Sequence, residues 1–468
     1  MSSPASIVRP AYVISGLIAA VFLIALAAFP GQSSAMEGSF FQAQLAAEQK
    51  KCQKKKPKKA KAACLKGVKG KATAATTKAM SGDLGLYGHG LKAGQIPSTN
   101  GTLIWSKELP TTPGAALTEF VLYSSKSFPG NTPVVVSGTL SIPEGNAPQG
   151  GWPVISWAHG TTGIADQCAP SRGGDQGSYG GAEPLIEGWL EDGYAVLATD
   201  YEGLGTPGVH PYLQGVSEGR GVLDIVRAAR TAEPTLSDEV IIAGHSQGGH
   251  AALFAAQLAK DWANQFNHLG TVPYAPPADF QLQGAGIGSL PSDAYGISAL
   301  AATILRGAAT SDSSIDAEKI LTPEAFALYP EVDSVCLDRL TESFAEAGVG
   351  PGDLLRPGVL FQPDGAGFSQ VLGEMDPLIK TNRPLLILQG RQDTTVQPGL
   401  TDTLVSRLRG LNPGLSIEYF VYGNSGTVNL GTSGPSTHGS ILADAEAQVD
   451  AFLREGFGLP PLPPLPTR

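Results

Sequence analysis

From about residue 101 onward, short apolar runs alternate with turns and longer helical stretches. Leu117–Tyr123 and Val134–Ile142 are rich in β-branched and aromatic residues, and Pro129-Gly130-Asn131 between them predicts a turn joining two strands. Four compact runs with little polar alternation follow: Pro153–Ala158, Tyr194–Thr199, Glu239–Gly244 and Pro384–Gln389. Ser416–Tyr422 completes the set of predicted strands. Between them, Val216–Arg230 places Val222, Ile225 and Val226 on one face with basic residues between, the pattern of an amphipathic helix. His250–Asp261, Thr401–Arg409 and Ile441–Arg454 also have helical spacing. Apolar strands interleaved with helices predict an α/β fold, a doubly wound and mostly parallel sheet covered on both faces.

Between residues 280 and 373 the strand rhythm stops. Short helical stretches at 297–306, 323–328 and 335–347 are broken by Gly, Pro and Ser, which reads as a helical cap or lid inserted between two strands of the sheet. The expected organisation is a core in two parts, 81–279 and 374–457, around that cap at 280–373. A Pro-rich extended tail at 458–468 follows.

Ahead of the core lie two segments of different character. Ala11–Phe29 is an apolar run preceded by Arg9, ended by Pro30-Gly31 and followed by Ser33-Ser34-Ala35. Residues 1–35 therefore read as a signal peptide, or as an uncleaved signal anchor, since about 19 apolar residues just span a bilayer. Either reading exports the remainder. Residues 36–80 are Lys-rich, and Lys50–Lys71 concentrates the charge without aromatics. That stretch is a solvated spacer, or an electrostatic contact with anionic lipid or envelope polymer. Cys52 and Cys64 flank the run, and a bridge between them would close a small loop.

The 468-residue chain carries a net charge of −10 that hides a division. Residues 1–80 hold thirteen basic and two acidic side chains; the rest holds nineteen basic and forty acidic. So acidic a body repels phosphates, which argues against nucleic acid as a partner. Hydrophobic residues at 42% suffice for a large core, and 59 Gly with 36 Pro imply long structured loops. Four cysteines exclude a disulfide-dense scaffold and a zinc ribbon.

The chemistry gathers at Gly244-His245-Ser246-Gln247-Gly248-Gly249, between an apolar strand and a helix. A strand–Gly-x-Ser-x-Gly–helix context is that of a nucleophile elbow, a turn so tight that the positions two before and two after the serine must lack side chains. Gly244 and Gly248 meet that demand. A serine hydroxyl needs a base, and in folds of this type the chain order is Ser, acid, His. Of seven histidines, His438 alone follows the last plausible acid-bearing strand. The acid is expected just after a strand, where Asp393 stands; Asp402 and Asp376 are weaker alternatives. For the oxyanion, the backbone N–H of Gln247 at the helix start is one donor. Thr161, or less favourably Thr162, in the loop His159-Gly160-Thr161-Thr162-Gly163 supplies the second.

Trp157–Gly163 followed by Cys168-Ala-Pro, Asp200–Pro207 and Gly244–Gly249 together resemble the secretory lipase family of α/β-hydrolases. The resemblance covers about residues 100–455 and includes the long insertion before the acid strand. It implies a secreted carboxylic-ester hydrolase of the triacylglycerol lipase type, needing no cofactor or metal, with Ser246, Asp393 and His438 in the triad positions. It also implies a Cys168–Cys336 bridge from the oxyanion loop to the cap. Its substrate would be a lipid or another ester.

Other readings stay open on the residues. The same triad serves peptidases and acyltransferases. A catalytically inert module that holds the envelope through its lysine-rich arm is also compatible. Gly203-Leu-Gly205-Thr-Pro-Gly208 matches a dinucleotide fingerprint, with Asp224 downstream, but Pro207 and Pro211 do not open a phosphate-binding helix. Asp200 and Glu202 read instead as groups that order loops.

Overall fold

The computed structural model describes residues 85–173, 177–423 and 435–460. The segment expected to be a leader at 1–35, the Lys-rich segment at 36–80 with Cys52 and Cys64, and the tail beyond residue 460 lie outside the described residues.

The described residues form one nine-stranded sheet in the order β1-β2-β3-β5-β4-β6-β7-β8-β9. The strands are β1 (Leu103–Glu108), β2 (Ala115–Lys126), β3 (Pro133–Pro143), β4 (Trp152–Ala158), β5 (Ala195–Thr199), β6 (Leu236–His245), β7 (Asn267–Tyr274), β8 (Leu385–Gly390) and β9 (Ile417–Tyr422). The first three form an antiparallel meander that joins β5 antiparallel; from β5 across to β9 every pairing is parallel. The expected doubly wound sheet is present, with two strands beyond those read from the sequence, β1 and β7. Gly270 and Pro273 interrupt the apolar run of β7, which is why it does not read as a strand.

Helices cover both faces. We label α1 (Glu183–Glu191), α2 (Gly215–Ala232), α3 (Gln247–Trp262), α4 (Phe280–Gly286), α5 (Tyr295–Ser311), α6 (Leu337–Ala347), α7 (Ala366–Glu374), α8 (Pro398–Leu411) and α9 (Glu446–Gly456). On one face, Val222, Ile225 and Val226 of α2 and Ala251, Ala252 and Ala255 of α3 pack on Val154, Leu197 and Ile242. On the other, Trp189 of α1 and Val449 and Leu453 of α9 meet Trp157, Ile241 and Leu386.

Two helical expectations change. The amphipathic reading of α2 is corrected: thirteen of its residues are buried, Arg220 and Asp224 included, because the helix is wedged between the sheet and α3. The approach is close enough that a Cβ on Gly219 would sit 2.8 Å from the Ala255 nitrogen. The single terminal helix at 441–454 divides at Ala445 into a turn, Ile441–Asp444, and α9.

Between β7 and β8 the chain builds α4 to α7 around an apolar cluster of their own, including Phe280, Ala302, Leu305, Phe344, Phe368 and Leu372. Tyr212 and Leu213, from the loop ahead of α2, are buried in the same cluster. They lie where this helical layer meets the parallel sheet.

Candidate active site

β6 runs directly into α3 through Ser246. The serine takes φ 56° and ψ −119°, a left-handed conformation that a side chain other than glycine adopts only when its surroundings enforce it. The enforcement is steric. A Cβ on Gly244 would overlap the carbonyl oxygen of Gly248, and one on Gly248 would overlap that of Ala158. Both glycines are therefore required for the turn to lie against the end of β4.

The strained turn leaves Ser246 Oγ 2.9 Å from His438 Nε2, and His438 Nδ1 lies 2.7 Å from Asp393 Oδ2. His438 comes from the loop after β9, and Asp393 from the turn after β8. The Asp393 carboxylate is buried and held by three donors: the backbone N–H groups of Thr395 (2.9 Å) and Val396 (2.8 Å) on Oδ1, and Gln389 Nε2 (3.1 Å) on Oδ2. Thr401 in turn donates to Gln389 Oε1. A carboxylate so fixed makes His438 carry its proton on Nδ1 and keeps Nε2 bare toward the serine.

The two alternative acids are engaged elsewhere. Asp402 is exposed on α8 and accepts the Tyr419 hydroxyl at 2.7 Å. Asp376 accepts the N–H of Phe280 at 3.1 Å.

Gln247 begins α3, so its backbone N–H has no carbonyl one turn back to receive it. The β4 loop passes directly over the elbow: a Cβ on Gly160 would sit 3.7 Å from Ser246 Cβ. Next in that loop, the Thr161 hydroxyl contacts the Tyr212 hydroxyl at 2.6 Å. The carbonyl of Thr162 accepts the N–H of Leu337 from α6, so that residue ties the loop to the helical layer. Cys168 and Cys336 form a disulfide with a Cα–Cα distance of 5.5 Å, beside the same contact.

Three residues around the elbow carry no plain signal in the sequence. His245 donates from Nε2 to the main-chain oxygen of His438 at 2.8 Å. Burial, reinforced by the neighbouring His438, pushes its pKa down to about 3, so it stays neutral. Glu218 of α2, without solvent exposure, accepts from the Gln247 side-chain amide at 2.8 Å and from the N–H of Leu213 at 2.9 Å. His210 accepts the other amide hydrogen of Gln247 at 2.8 Å, and its Nδ1 donates to Glu202 O at 2.8 Å; burial lowers its pKa. Glu218 had one available signal: it shares a helical face with Val222 and Ile225, an unusual place for an unpartnered carboxylate.

Asp200 and Glu202 do order loops, through Ser137 and Ser171 for the former and Ser217 for the latter. The dinucleotide fingerprint is a looped segment: α2 starts only at Gly215, and Asp224 is occupied by Ser125, Arg227 and Trp262. Among the described residues no group of three or more His, Cys, Asp or Glu side chains is arranged to hold a metal ion.

Ser246 opens onto a cavity of about 830 Å³, measured out to the solvent at its mouth. Tyr212, Leu213, Phe280, Ile297, Ile304 and Leu372 are among its walls, and no charged residue lines it. An apolar pocket with a few polar groups at one end is the general form of a small-molecule site.

Residues 181–310 match the secretory lipase family. The matched stretch contains the elbow and the start of the helical layer. Lipase A of Moesziomyces aphidis is 32% identical over 181 residues, 36% of this chain and 38% of that lipase. A probable inactive lipase of Mycobacterium tuberculosis is 30% identical over 186 residues, 37% of this chain and 41% of that protein. The chain thus matches about two-fifths of the length of these curated relatives. Among solved structures, the rice cell wall degrading esterase LipA of Xanthomonas oryzae superposes with a TM-score of 0.62 at 20% identity, covering 76% of this chain and 98% of the esterase. Candida antarctica lipase A in its closed state gives 0.62 at 20%, covering 78% and 84%. The fold is that of the α/β-hydrolases, and the resemblance to secretory lipases read from the sequence is borne out.

Proposed function

We propose that this protein hydrolyses carboxylic esters in the manner of a lipase or esterase, with Ser246 as nucleophile, His438 as base and Asp393 as its orienting acid. The observation that carries this reading is the unbroken line of hydrogen bonds from Asp393 through His438 to Ser246 at the mouth of an apolar cavity. In the first step Ser246 Oγ attacks the ester carbonyl carbon as its proton passes to His438 Nε2. The tetrahedral oxyanion rests on the N–H groups of Gln247 and Thr161. His438 then protonates the departing alcohol, leaving an acyl-serine. A water, activated by the same imidazole, releases the carboxylic acid and restores the serine.

The uncharged cavity favours an apolar acyl chain over a peptide, whose terminus calls for a charged anchor. An inactive relative gives the non-catalytic reading some footing. Against it stand the hydrogen-bonded Ser246, His438 and Asp393, which an inert module does not need. Action outside the cytoplasm belongs to the proposal through the leader at 1–35, as does contact of Lys50–Lys71 with anionic envelope or lipid. Among the described residues no helix is long and apolar enough to cross a membrane.

Release of p-nitrophenol from a short-to-long series of acyl esters tests the reading. The expected result is turnover by the wild type and a loss of about 10⁴-fold or more in Ser246→Ala. Full activity in that variant would overturn the assignment. An inactive wild type that binds anionic polymers in a salt-sensitive way would favour the inert module.

A further inference from the structure

Both oxyanion donors named above are backbone N–H groups, so their aim depends on what holds the surrounding side chains. Glu218 touches both walls. On one side its Oε1 accepts the Gln247 side-chain amide at 2.8 Å. On the other, the same oxygen accepts the N–H of Leu213 at 2.9 Å. Leu213 has φ 58°, a left-handed conformation that costs a leucine free energy and is maintained only by such a contact. The turn it closes carries Tyr212, whose hydroxyl meets the Thr161 hydroxyl at 2.6 Å.

The orientation of Gln247 is fixed by charge. Its amide cannot be flipped, because the carbonyl would then face the carboxylate of Glu218 and the bare Nε2 of His210, two acceptors. Both amide hydrogens are therefore spent on Glu218 and His210, and Oε1 is left buried without a partner. Tolerating that orphan marks the amide as gripped by its donors, not by its acceptor. The other carboxylate oxygen of Glu218 meets His250 Nδ1 at 3.2 Å, one turn along α3, while His250 Nε2 donates to Met375 O at 2.7 Å. A fully buried carboxylate is expensive to desolvate, and an apolar replacement of similar volume is often no less stable. Stability alone therefore gives little reason for an acid at this position.

We propose that Glu218 is a positioning residue for the oxyanion site, holding the Gln247 N–H through the Gln247 side chain and the Thr161 N–H through the Leu213–Tyr212 turn. The inference rests on the esterase reading of Ser246. It implies that Glu218 acts when negative charge develops on the substrate oxygen and contributes little to ground-state binding.

The test compares wild type, Glu218→Leu and Glu218→Gln on one p-nitrophenyl ester. It also measures inhibition by a trifluoromethyl ketone, which forms a tetrahedral oxyanion on the serine, and by the alcohol of the same chain length, which does not. Glu218→Leu is expected to lose about 10- to 100-fold in kcat, short of the loss from removing a donor outright, with KM within about twofold. Affinity for the ketone should fall by the same factor and affinity for the alcohol should hold. Glu218→Gln keeps an acceptor for Leu213 and Gln247 and presents its amide to His250 Nδ1, so it should stay near wild type. A folded Glu218→Leu with wild-type kcat, an equal loss of ketone and alcohol affinity, or Glu218→Gln as impaired as Glu218→Leu would each overturn the proposal. Should Glu218→Leu not fold, Gln247→Met, which removes the gripped amide and keeps the backbone N–H, must show the same selective loss; parity with wild type overturns the proposal equally. Ser246→Ala on the same ester separates the two levels. Turnover surviving there defeats the esterase reading itself, whereas its loss alongside an unimpaired Glu218→Leu defeats only the positioning role.

Discussion

His245 Nε2 donates a hydrogen bond to the main-chain oxygen of His438, a residue 193 positions further along the chain. The two rings lie 4.6 Å apart. The residue immediately before Ser246 thus holds the backbone of the residue whose imidazole meets the Ser246 hydroxyl. With a pKa of about 3, caused first by burial, His245 remains an uncharged donor across the working range and does not compete for the proton of Ser246. His245→Phe is expected to lower kcat by about 10- to 100-fold with KM nearly unchanged, since a displacement of about 1 Å of a reacting group costs that order of rate. His245→Gln retains a donor and should recover most of the loss. Steady-state kinetics of both variants on one ester checks this.

Asp393 presents both oxygens to donors, with Oδ2 aimed at His438. Asp393→Asn preserves the shape but presents either a carbonyl or an amide to Nδ1, favouring the wrong tautomer. Turnover should fall by about 10⁴-fold while the melting temperature changes little. Measuring both on the same preparation distinguishes loss of the acid from loss of the fold.

The Cys168–Cys336 bridge closes a sequence separation of 168 residues and joins the loop beyond β4 to the start of α6. A cross-link over so long a loop stabilises by about 3–5 kcal/mol, chiefly through the unfolded chain. The double variant Cys168→Ser/Cys336→Ser is expected to melt several degrees lower and to be cleaved faster by protease within residues 280–373. Because Leu337 and Thr162 share a backbone hydrogen bond beside the bridge, kcat should drop as well. Calorimetry with timed proteolysis checks the result.

His268, on β7, is buried and bonded from Nε2 to Gly270 O and Thr271 Oγ1, far along the strand from the elbow. Burial, the largest cause, lowers its pKa from 6.5 to about 4. Between those values the unfolded chain binds a proton that the folded chain refuses. Its contribution to stability is therefore complete above about 6.5 and is lost as pH falls toward 4. A His268→Gln variant has no such penalty. The melting-temperature gap between wild type and variant should thus move steadily in the variant's favour from pH 7 to pH 4.5, and a pH-independent gap would refute the assignment.

Much of the site was legible because its signals are local. The elbow needs only a strand, a helix and two glycines at fixed spacing, and a steric overlap at Gly244 and Gly248 is what those glycines avoid. Asp393 and His438 could be chosen because chain order leaves few candidates after the acid-bearing strand. The supporting residues were not legible, for physical reasons. Arg220 and Arg227 make α2 look solvent-facing, yet Arg220 lies over the Trp262 ring and Arg227 pairs with Asp224, so the helix is interior and Glu218 with it. His245 looked like one of several unplaced histidines, since its partner is brought back only by tertiary folding. β7 was hidden by Gly270 and Pro273, whose local preferences yield to the parallel pairing on both sides. The Cys168–Cys336 pairing came from family resemblance alone; spacing carried no sign of it.

The central claim is that Ser246 is a nucleophile activated by His438. The most direct measurement is covalent labelling of the intact protein with an alkyl phosphonate ester, followed by peptide mass mapping and parallel loss of ester hydrolysis. The expected result is one equivalent of label on Ser246, activity falling in step with it, and neither labelling nor hydrolysis in His438→Ala at neutral pH. Label on another residue, or hydrolysis that persists with Ser246 fully modified, would contradict it.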